Sequence, residues 1–387
     1  MKSRIYLDNS ATTRVDDLVV DAMTACLRET YGNASSVHTY GQDARGVVED
    51  ARGSIAELLG CEAREVVFTS GGTESDNAAL WGVFRSAHRR GNHIITTRIE
   101  HPAILATCKA LENAGAEVTC VPVDSTGRVD PAAIAAAVRD STAPISVMHA
   151  NNETGVIQPI LEISAIAREH GIVLHTDAVQ SVGKIPVNVR DLGVDMLSLS
   201  GHKIHAPKGI GALYIRKGMK LAPLMTGGAQ ERKQRAGTEN VPGIAGLGAA
   251  ARLAAERLPE MAGRIAALRG RLESQVRERI PGVRPNGSTE FRLPNIANLS
   301  FAGLEGEAAV IAMDLDGVAI STGSACSSGS LEPSHVLIAM GLRPETVQGS
   351  LRFSLCCHNT EAEIDRTVEI LIKVTQRLRG FGRRAIV

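Results

Sequence analysis

Three short stretches carry residues that could do chemistry together. In SGGTESDNAAL, residues 70–80, two glycines precede a helical pattern that starts near Thr73. Glycine lets a backbone approach a ligand closely, and the free amides of a helix N-terminus carry partial positive charge, so Gly72 and Thr73 are placed to hold a phosphate. The same residues would also serve as a plain helix cap, with Glu74 and Ser75 in the first turn. In SLSGHKIHAPKGIGALY, residues 198–214, an apolar run delivers Ser200, His202 and Lys203 to its polar end. A lysine there can form a Schiff base with a carbonyl cofactor, and Ser200 and His202 are suitable phosphate donors. Taken singly, such a lysine is more often a solvated charge. In VLHTDAVQS, residues 173–181, Asp177 ends another apolar run and Gln180 follows three residues on. A carboxylate buried at a sheet edge needs a cationic partner to stay ionised, and a protonated pyridine nitrogen is one. A helix-capping Asp is the alternative. Phosphate loop, Schiff-base lysine and pyridinium acid together match the needs of pyridoxal phosphate.

A fourth stretch, STGSACSSGS at residues 321–330, sets Cys326 among serine, threonine, alanine and glycine only. It has no helical or alternating period and several chain breakers, so it reads as a mobile loop. Free cysteine ordinarily packs as a small hydrophobe, but this loop offers it no core. The chemistry of an exposed, movable thiol must therefore be read from the rest of the chain.

These residues need elements that bring them to one place. Between about 65 and 215, short apolar runs alternate with helical patterns: EVVFT, HIITT, AEVTCVPV, PISVMHA, GIVLHTD, VDMLSLS and GALYIR. Such alternation gives an α/β fold with a mostly parallel sheet covered on both faces, whose ligands sit beyond the carboxyl ends of the strands. Polar residues at 69–72, 151–153, 177 and 200–203 would share that edge. From about 241 to 280 the pattern becomes one long helix. NIANLSF, a helix over about 305–315, GVAIST, SLRFSL and a closing helix over about 360–378 then read as a smaller α+β unit that carries the cysteine loop, about 321–332. The division expected is 15–255 for the large cofactor-binding domain, with 1–14 and 256–387 forming the small one.

Composition excludes several function classes. The chain has 387 residues, 44% of them hydrophobic, and 42 basic residues balance 42 acidic ones. No broad basic field invites nucleic acid or anionic lipid. No apolar run reaches signal-peptide or membrane-spanning length, which reads as a cytoplasmic protein. Seven cysteines without CxxC spacing fit a reducing compartment and argue against a disulfide framework or a structural zinc site; no residue is assigned to a metal.

The chain resembles the cysteine desulfurases of the NifS and IscS group, pyridoxal phosphate enzymes of fold type I, the aspartate aminotransferase fold. The likeness runs nearly end to end: YLDNSATT at 6–13, TSGGTESDN at 69–77, EHPA at 100–103, HANNETG at 149–155, DAVQSVGK at 177–184, SGHKIHAPKGIGALY at 200–214, RAGTEN at 235–240, GSACSSGSLEPSHVL at 323–337 and RFSL at 352–355. It implies that Lys203 bonds to the cofactor, Asp177 pairs with the ring nitrogen and Gln180 with the phenolic oxygen. Thr73, Ser200 and His202 would hold the phosphate, joined by Thr238 from the partner subunit of a homodimer. His101 would stack on the ring and assist proton transfers, while Asn152 and Arg352 would hold the substrate carboxylate. The resemblance also answers the question of the loop. Cys326 would attack the sulfur of cofactor-bound L-cysteine, keep it as a persulfide, release L-alanine and pass the sulfur to an iron-sulfur scaffold or another acceptor protein.

The pattern departs from the group after RFSL, where Cys356, Cys357 and His358 follow; packing at a strand end is the expectation, with a second sulfur acceptor or a metal contact as other uses. The chain also closes on FGRRAIV, where IscS-like members carry a further docking tail. An aminotransferase of the same fold would have no use for Cys326, and a selenocysteine lyase would ignore cysteine. A non-catalytic sulfur carrier or scaffold would have no need of so complete a cofactor site.

Overall fold

The computed structural model describes residues 4–86, 91–322 and 333–384. The strands, in chain order, are β1 (Ile5–Tyr6), β2 (Val66–Thr69), β3 (His93–Thr97), β4 (Glu117–Val121), β5 (Thr142–Ser146), β6 (Val173–Asp177), β7 (Met196–Ser200) and β8 (Gly211–Ile215). They continue with β9 (Val283–Pro285), β10 (Ile296–Phe301), β11 (Val318–Ala319), β12 (Ser321–Thr322) and β13 (Ser350–Ser354). Seven strands form one sheet in the order β2-β8-β7-β6-β5-β3-β4. Its pairings are parallel except those of β8, which runs against both β2 and β7. The seven apolar runs of the sequence thus all become strands of one α/β sheet. β3, β5, β7 and β8 are buried at every residue, as a sheet covered on both faces requires.

Register places the chemistry at one edge. Thr69 and Ser200 both lie opposite Gly211, so the ends of β2 and β7 flank the start of β8. Position 211 must be glycine: a Cβ there would stand 2.7 Å from the Cα of Gly71 and 2.6 Å from the carbonyl of Leu199. That close approach lets the Gly71–Gly72 turn lie against β7. Asp177 ends β6, the parallel neighbour of β7, at the same edge.

The small sheet is antiparallel, in the order β12-β13-β10-β9, and β1 pairs with β11 separately. The helix Val241–Arg279 serves two hydrophobic clusters. Val241, Ile244, Leu247 and Ala250 pack with the large sheet, whereas Ile265, Leu268, Leu272 and Val276 pack with Ile5, Leu7, Phe301 and Phe353. Pro259 falls between the two sets, where the helix is least buried and a lost backbone bond can be met by water.

Three details differ from the sequence expectation. PISVMHA ends as a strand at Ser146; beyond it, Val147 and His149 still donate backbone bonds to the carbonyls of His175 and Asp177. GVAIST divides at the buried Ile320, so that β11 joins β1 while β12 joins β13. The closing helix runs over Glu361–Arg384, longer than its apolar period indicated.

Candidate active site

A cavity of about 260 Å³ lies at the carboxyl edge of the large sheet, and nine of the residues singled out in the sequence line it. Gly72 and Thr73 come from the N-terminus of the helix Gly72–Ser86, and His101 caps the helix Pro102–Asn113. Asn152 follows the β5 region, Asp177 ends β6, and Gln180 lies in the turn after it. Ser200, His202 and Lys203 follow one another from the end of β7 into a single 3-10 turn.

Backbone carbonyls of the N-terminal segment hold the lysine. Lys203 Nζ donates to the carbonyl of Ser10 and, at 2.7 Å, to that of Ala11. The same segment fixes the turn, because the Thr13 amide donates to the His202 carbonyl at 2.9 Å. YLDNSATT therefore builds the seat of the lysine as well as one strand.

Asp177 is buried, and its Oδ1 accepts the Val179 amide at 2.9 Å. Burial raises its carboxyl to about 6; the Val179 amide and the Lys203 charge pull the other way. Asp76, also buried, is pushed well above the ordinary carboxylate range by burial and then by the charge of Asp177. His175 lies behind them, bonded to Ser146 and Ser198 at 2.9 Å each, with Nε2 3.7 Å from Asp76 Oδ1. Burial lowers its ring to about 3, so this histidine is neutral and adds no positive charge. A pair of buried acids with so little positive charge nearby is a seat for a cation.

His101 is aimed by its own helix. Its Nδ1 accepts the Ala103 amide at 3.1 Å, which leaves the proton of the neutral ring on Nε2. Burial, then the charges of Lys203 and His335, lowers it to about 4. The preceding Glu100 is fully buried, accepts from Thr97 Oγ1 at 2.6 Å and from the Met148 amide at 3.0 Å, and is raised to about 8, chiefly by burial. His202 bonds Thr12 Oγ1 through Nδ1 at 3.2 Å and is likewise lowered to about 4, first by burial and then by Lys203.

Arg352 and Thr238 do not line this cavity. Arg352 is fully buried one layer behind Asn152, with Nη1 on the Asn152 carbonyl at 3.0 Å and Nη2 on Asp8 Oδ1 at 2.8 Å. Thr238 is exposed on the surface. Cys326 lies outside the described residues, as does its loop from 323 to 332. Both described flanks of that loop are tied to the site. Ser321 in β12 pairs with Arg352 and donates its hydroxyl to Asp8 Oδ1 at 2.9 Å. On the other side, the Ser334 hydroxyl donates to the carboxylate of Glu153, next to Asn152. Burial raises Glu153 to about 7.

Asp8, Asp76 and Glu100 were not singled out from the sequence, although each sits within a stretch that was. Residue type alone does not separate a buried acid from a solvated one; the only signal was position, two residues past β1 for Asp8, three past β3 for Glu100 and the second turn of the helix after β2 for Asp76.

The donors fit pyridoxal phosphate. The first-turn amides of a 15-residue helix, with Ser200 and His202, suit its phosphate. Gly72 keeps the cradle open, since a Cβ there would lie 2.7 Å from Val179 Cγ2 and 3.6 Å from Ser200 Cβ. Asp177 suits the ring nitrogen and Lys203 the aldehyde, while Gln180 Oε1 is buried without a hydrogen-bond partner, its Nε2 being bonded to the Ser10 carbonyl at 3.0 Å.

Comparison with known proteins agrees with this geometry. The family model described as Aminotransferase class-V matches residues 5–367. The cysteine desulfurase IscS of Dictyoglomus turgidum is 50% identical over 382 residues, 99% of this chain and 97% of that protein. A solved NifS-like protein superposes with a TM-score of 0.91 at 41% identity, covering 96% of this chain and 99% of that one. A structure titled SspA in complex with cysteine superposes with a TM-score of 0.82 at 37% identity, covering 91% and 98%. The chain belongs to the class-V aminotransferases, a pyridoxal phosphate-dependent family, and within them to the cysteine desulfurases of the NifS and IscS group.

Proposed function

We propose that the protein converts L-cysteine to L-alanine and keeps the released sulfur on Cys326 as a persulfide. The observation that carries this reading is the single cavity that joins Lys203, Asp177 and His101 to a phosphate cradle, with both described flanks of the Cys326 loop anchored beside it. The relative solved with cysteine supports the choice of substrate.

Pyridoxal phosphate, when bound, supplies an aldehyde that captures amines and an electron sink for bonds at the substrate Cα. Gly72, Thr73, Ser200 and His202 would hold the phosphate, and Asp177 would keep a proton on the ring nitrogen. Gln180 would sit by the phenolic oxygen. Lys203 Nζ would hold the cofactor through its aldehyde and, as a free amine, would take the proton from the substrate Cα. His101 Nε2–H donates into the cavity. Asn152 and Arg352 orient the substrate carboxylate, which requires Arg352 to share or release its bond to Asp8. Cys326 then attacks the substrate sulfur as a thiolate: the S–S bond forms, the carbon-sulfur bond breaks, and the carbon is protonated. The balance is cysteine plus enzyme thiol giving alanine plus enzyme persulfide, with no external oxidant.

Other parts of the reading rest on the same group resemblance. The protein acts as a homodimer in which Thr238, exposed here, reaches the partner's phosphate site. It hands sulfur to an iron-sulfur scaffold or another acceptor protein in the cytoplasm; the free state of all six cysteines among the described residues supports a reducing compartment. The large domain spans 15–255, and the small domain spans 1–14 and 256–387, a division supported by the two clusters on the long helix.

The test is borohydride reduction of the cofactor-bound protein followed by peptide mapping, together with alanine and sulfide release from cysteine. The reading expects the cofactor fixed on the peptide containing Lys203, and Lys203→Ala to lose both the adduct and turnover. Turnover retained by that variant would overturn it. Equal release from selenocysteine with none from cysteine would move the assignment to a selenocysteine lyase.

A further inference from the structure

The stretch Cys356–His358 does not pack into a core, as a strand end would. Cys356 and Cys357 are part-exposed, and they line a second cavity with His205 and Lys184. Among the described residues, this cavity shares only Lys203 with the cofactor cavity. We propose that His205, Cys356 and Cys357 form a binding site for one thiophilic metal ion of the zinc or cadmium class, on the opposite side of the lysine turn from the cofactor.

The three ligand atoms lie within 4.8 Å of one another among the described residues. His205 Nε2 and Cys357 Sγ are 3.7 Å apart. A tetrahedral ion with bonds of about 2.0 Å to nitrogen and about 2.3 Å to sulfur sets that edge at about 3.5 Å. The pair therefore stands at coordination spacing and needs almost no movement. One imidazole and two thiolates select a soft ion over magnesium or calcium, which require oxygen ligands.

The imidazole is already oriented as a ligand. His205 Nδ1 bonds the Arg14 carbonyl at 2.9 Å, which fixes the proton on Nδ1 and turns the Nε2 lone pair toward Cys357. The backbone holds the residue at φ +66°, an unfavourable setting for histidine. Its amide donates to Thr13 Oγ1 at 2.9 Å, and its carbonyl accepts the Asp16 amide at 3.0 Å. The thiol side is pinned as well. The Cys356 amide donates to Asn359 Oδ1 at 2.8 Å, and Arg264 donates to the carbonyls of Cys357 and Asn359 at 2.8 and 2.6 Å.

An ion can reach the site from outside. A more open cavity of about 400 Å³, lined in part by Asp16, Asp17, Arg257 and His358, ends on Cys357. The exposed His358 stands edge-on, its ring centre 5.5 Å from that of His205, and a water takes the fourth position. Binding replaces the thiol protons with the ion and releases them to solvent. The bound ion ties the end of β13 to the turn that carries Lys203, two residues from His205.

The experiment titrates cofactor-bound Cys326→Ala protein with cadmium in a thiol-free reductant, following the thiolate-to-metal absorption band against a competing chelator. Removing Cys326 takes the loop thiol out of the count, and the reductant keeps Cys356 and Cys357 from pairing with each other. One equivalent is expected, and Cys357→Ser, Cys356→Ser and His205→Asn should each weaken it at least about tenfold; asparagine tolerates the positive φ at position 205. Zinc X-ray absorption on the unsubstituted holoenzyme supplies a readout that no variant can obscure, with one nitrogen shell at about 2.0 Å and two sulfurs at about 2.3 Å expected. Absence of saturable uptake in Cys326→Ala, unchanged affinity in both cysteine variants, or a shell of nitrogen and oxygen alone would overturn the proposal.

Discussion

Glu100→Gln should stabilise the protein at alkaline pH far more than at acid pH. In the folded state this carboxyl is raised from 4.5 to about 8, first by burial. Between those values the native chain keeps a proton that the unfolded chain releases, so stability falls as pH rises through the window. Each tenfold change in proton affinity is worth about 1.4 kcal/mol, so the full cost above pH 8 is about 5 kcal/mol. The same linkage gives about 1.4 kcal/mol at pH 5.5 and about 4.6 kcal/mol at pH 8.5. Glutamine has nothing to ionise, and its oxygen can keep the bonds from Thr97 Oγ1 and the Met148 amide that Glu100 Oε1 now accepts. Urea unfolding of both proteins, with cofactor saturating, should show the variant's advantage growing by about 3 kcal/mol between those two pH values. An advantage that is constant with pH, or that shrinks as pH rises, would refute the reasoning.

Three further substitutions probe the cavity. Gly72→Val places side-chain atoms in the phosphate cradle, 2.7 Å from Val179 Cγ2 at the Cβ alone, and should weaken cofactor affinity at least about tenfold in equilibrium dialysis; equal affinity would contradict the cradle. Asp177→Asn should retain the cofactor but lower turnover about a hundredfold or more, because the carboxylate that stabilises the ring charge is gone. Turnover within a few-fold of the unsubstituted protein would argue against that pairing. Arg352→Lys cannot bond Asp8 and the Asn152 carbonyl with one planar fork, so KM for cysteine should rise about tenfold with less change in kcat. An unchanged KM would leave Arg352 a purely structural residue.

The sheet was legible because each strand is a short apolar run bounded by turn residues, and Thr69, Asp177 and Ser200 sit where such runs end. Side-chain chemistry and position at those ends brought Gly72, Thr73, Asn152, Asp177, Ser200, His202 and Lys203 to one edge, whereas His101 and the roles of Asn152 and Gln180 came with the family resemblance. Arg352 shows where that reasoning stops. Its motif gave a guanidinium but not Asp8, a partner 344 residues away. Glu100 and Asp76 escaped for a related reason, since burial of an acid is decided by what packs over it. Cys356 and Cys357 stood out as a departure from the group, but their closeness to His205, which reaches them through a turn held at positive φ, was not legible.

The most direct test of the central claim is the fate of sulfur in a single turnover. The cofactor-bound protein is mixed with one equivalent of L-cysteine without reductant, then digested and analysed by mass spectrometry alongside an alanine assay. The account predicts stoichiometric alanine and the mass of one added sulfur atom on the peptide containing Cys326, with neither in Cys326→Ala. Added sulfur found only on the peptide containing Cys356 and Cys357, or alanine formed at full rate without Cys326, would contradict it.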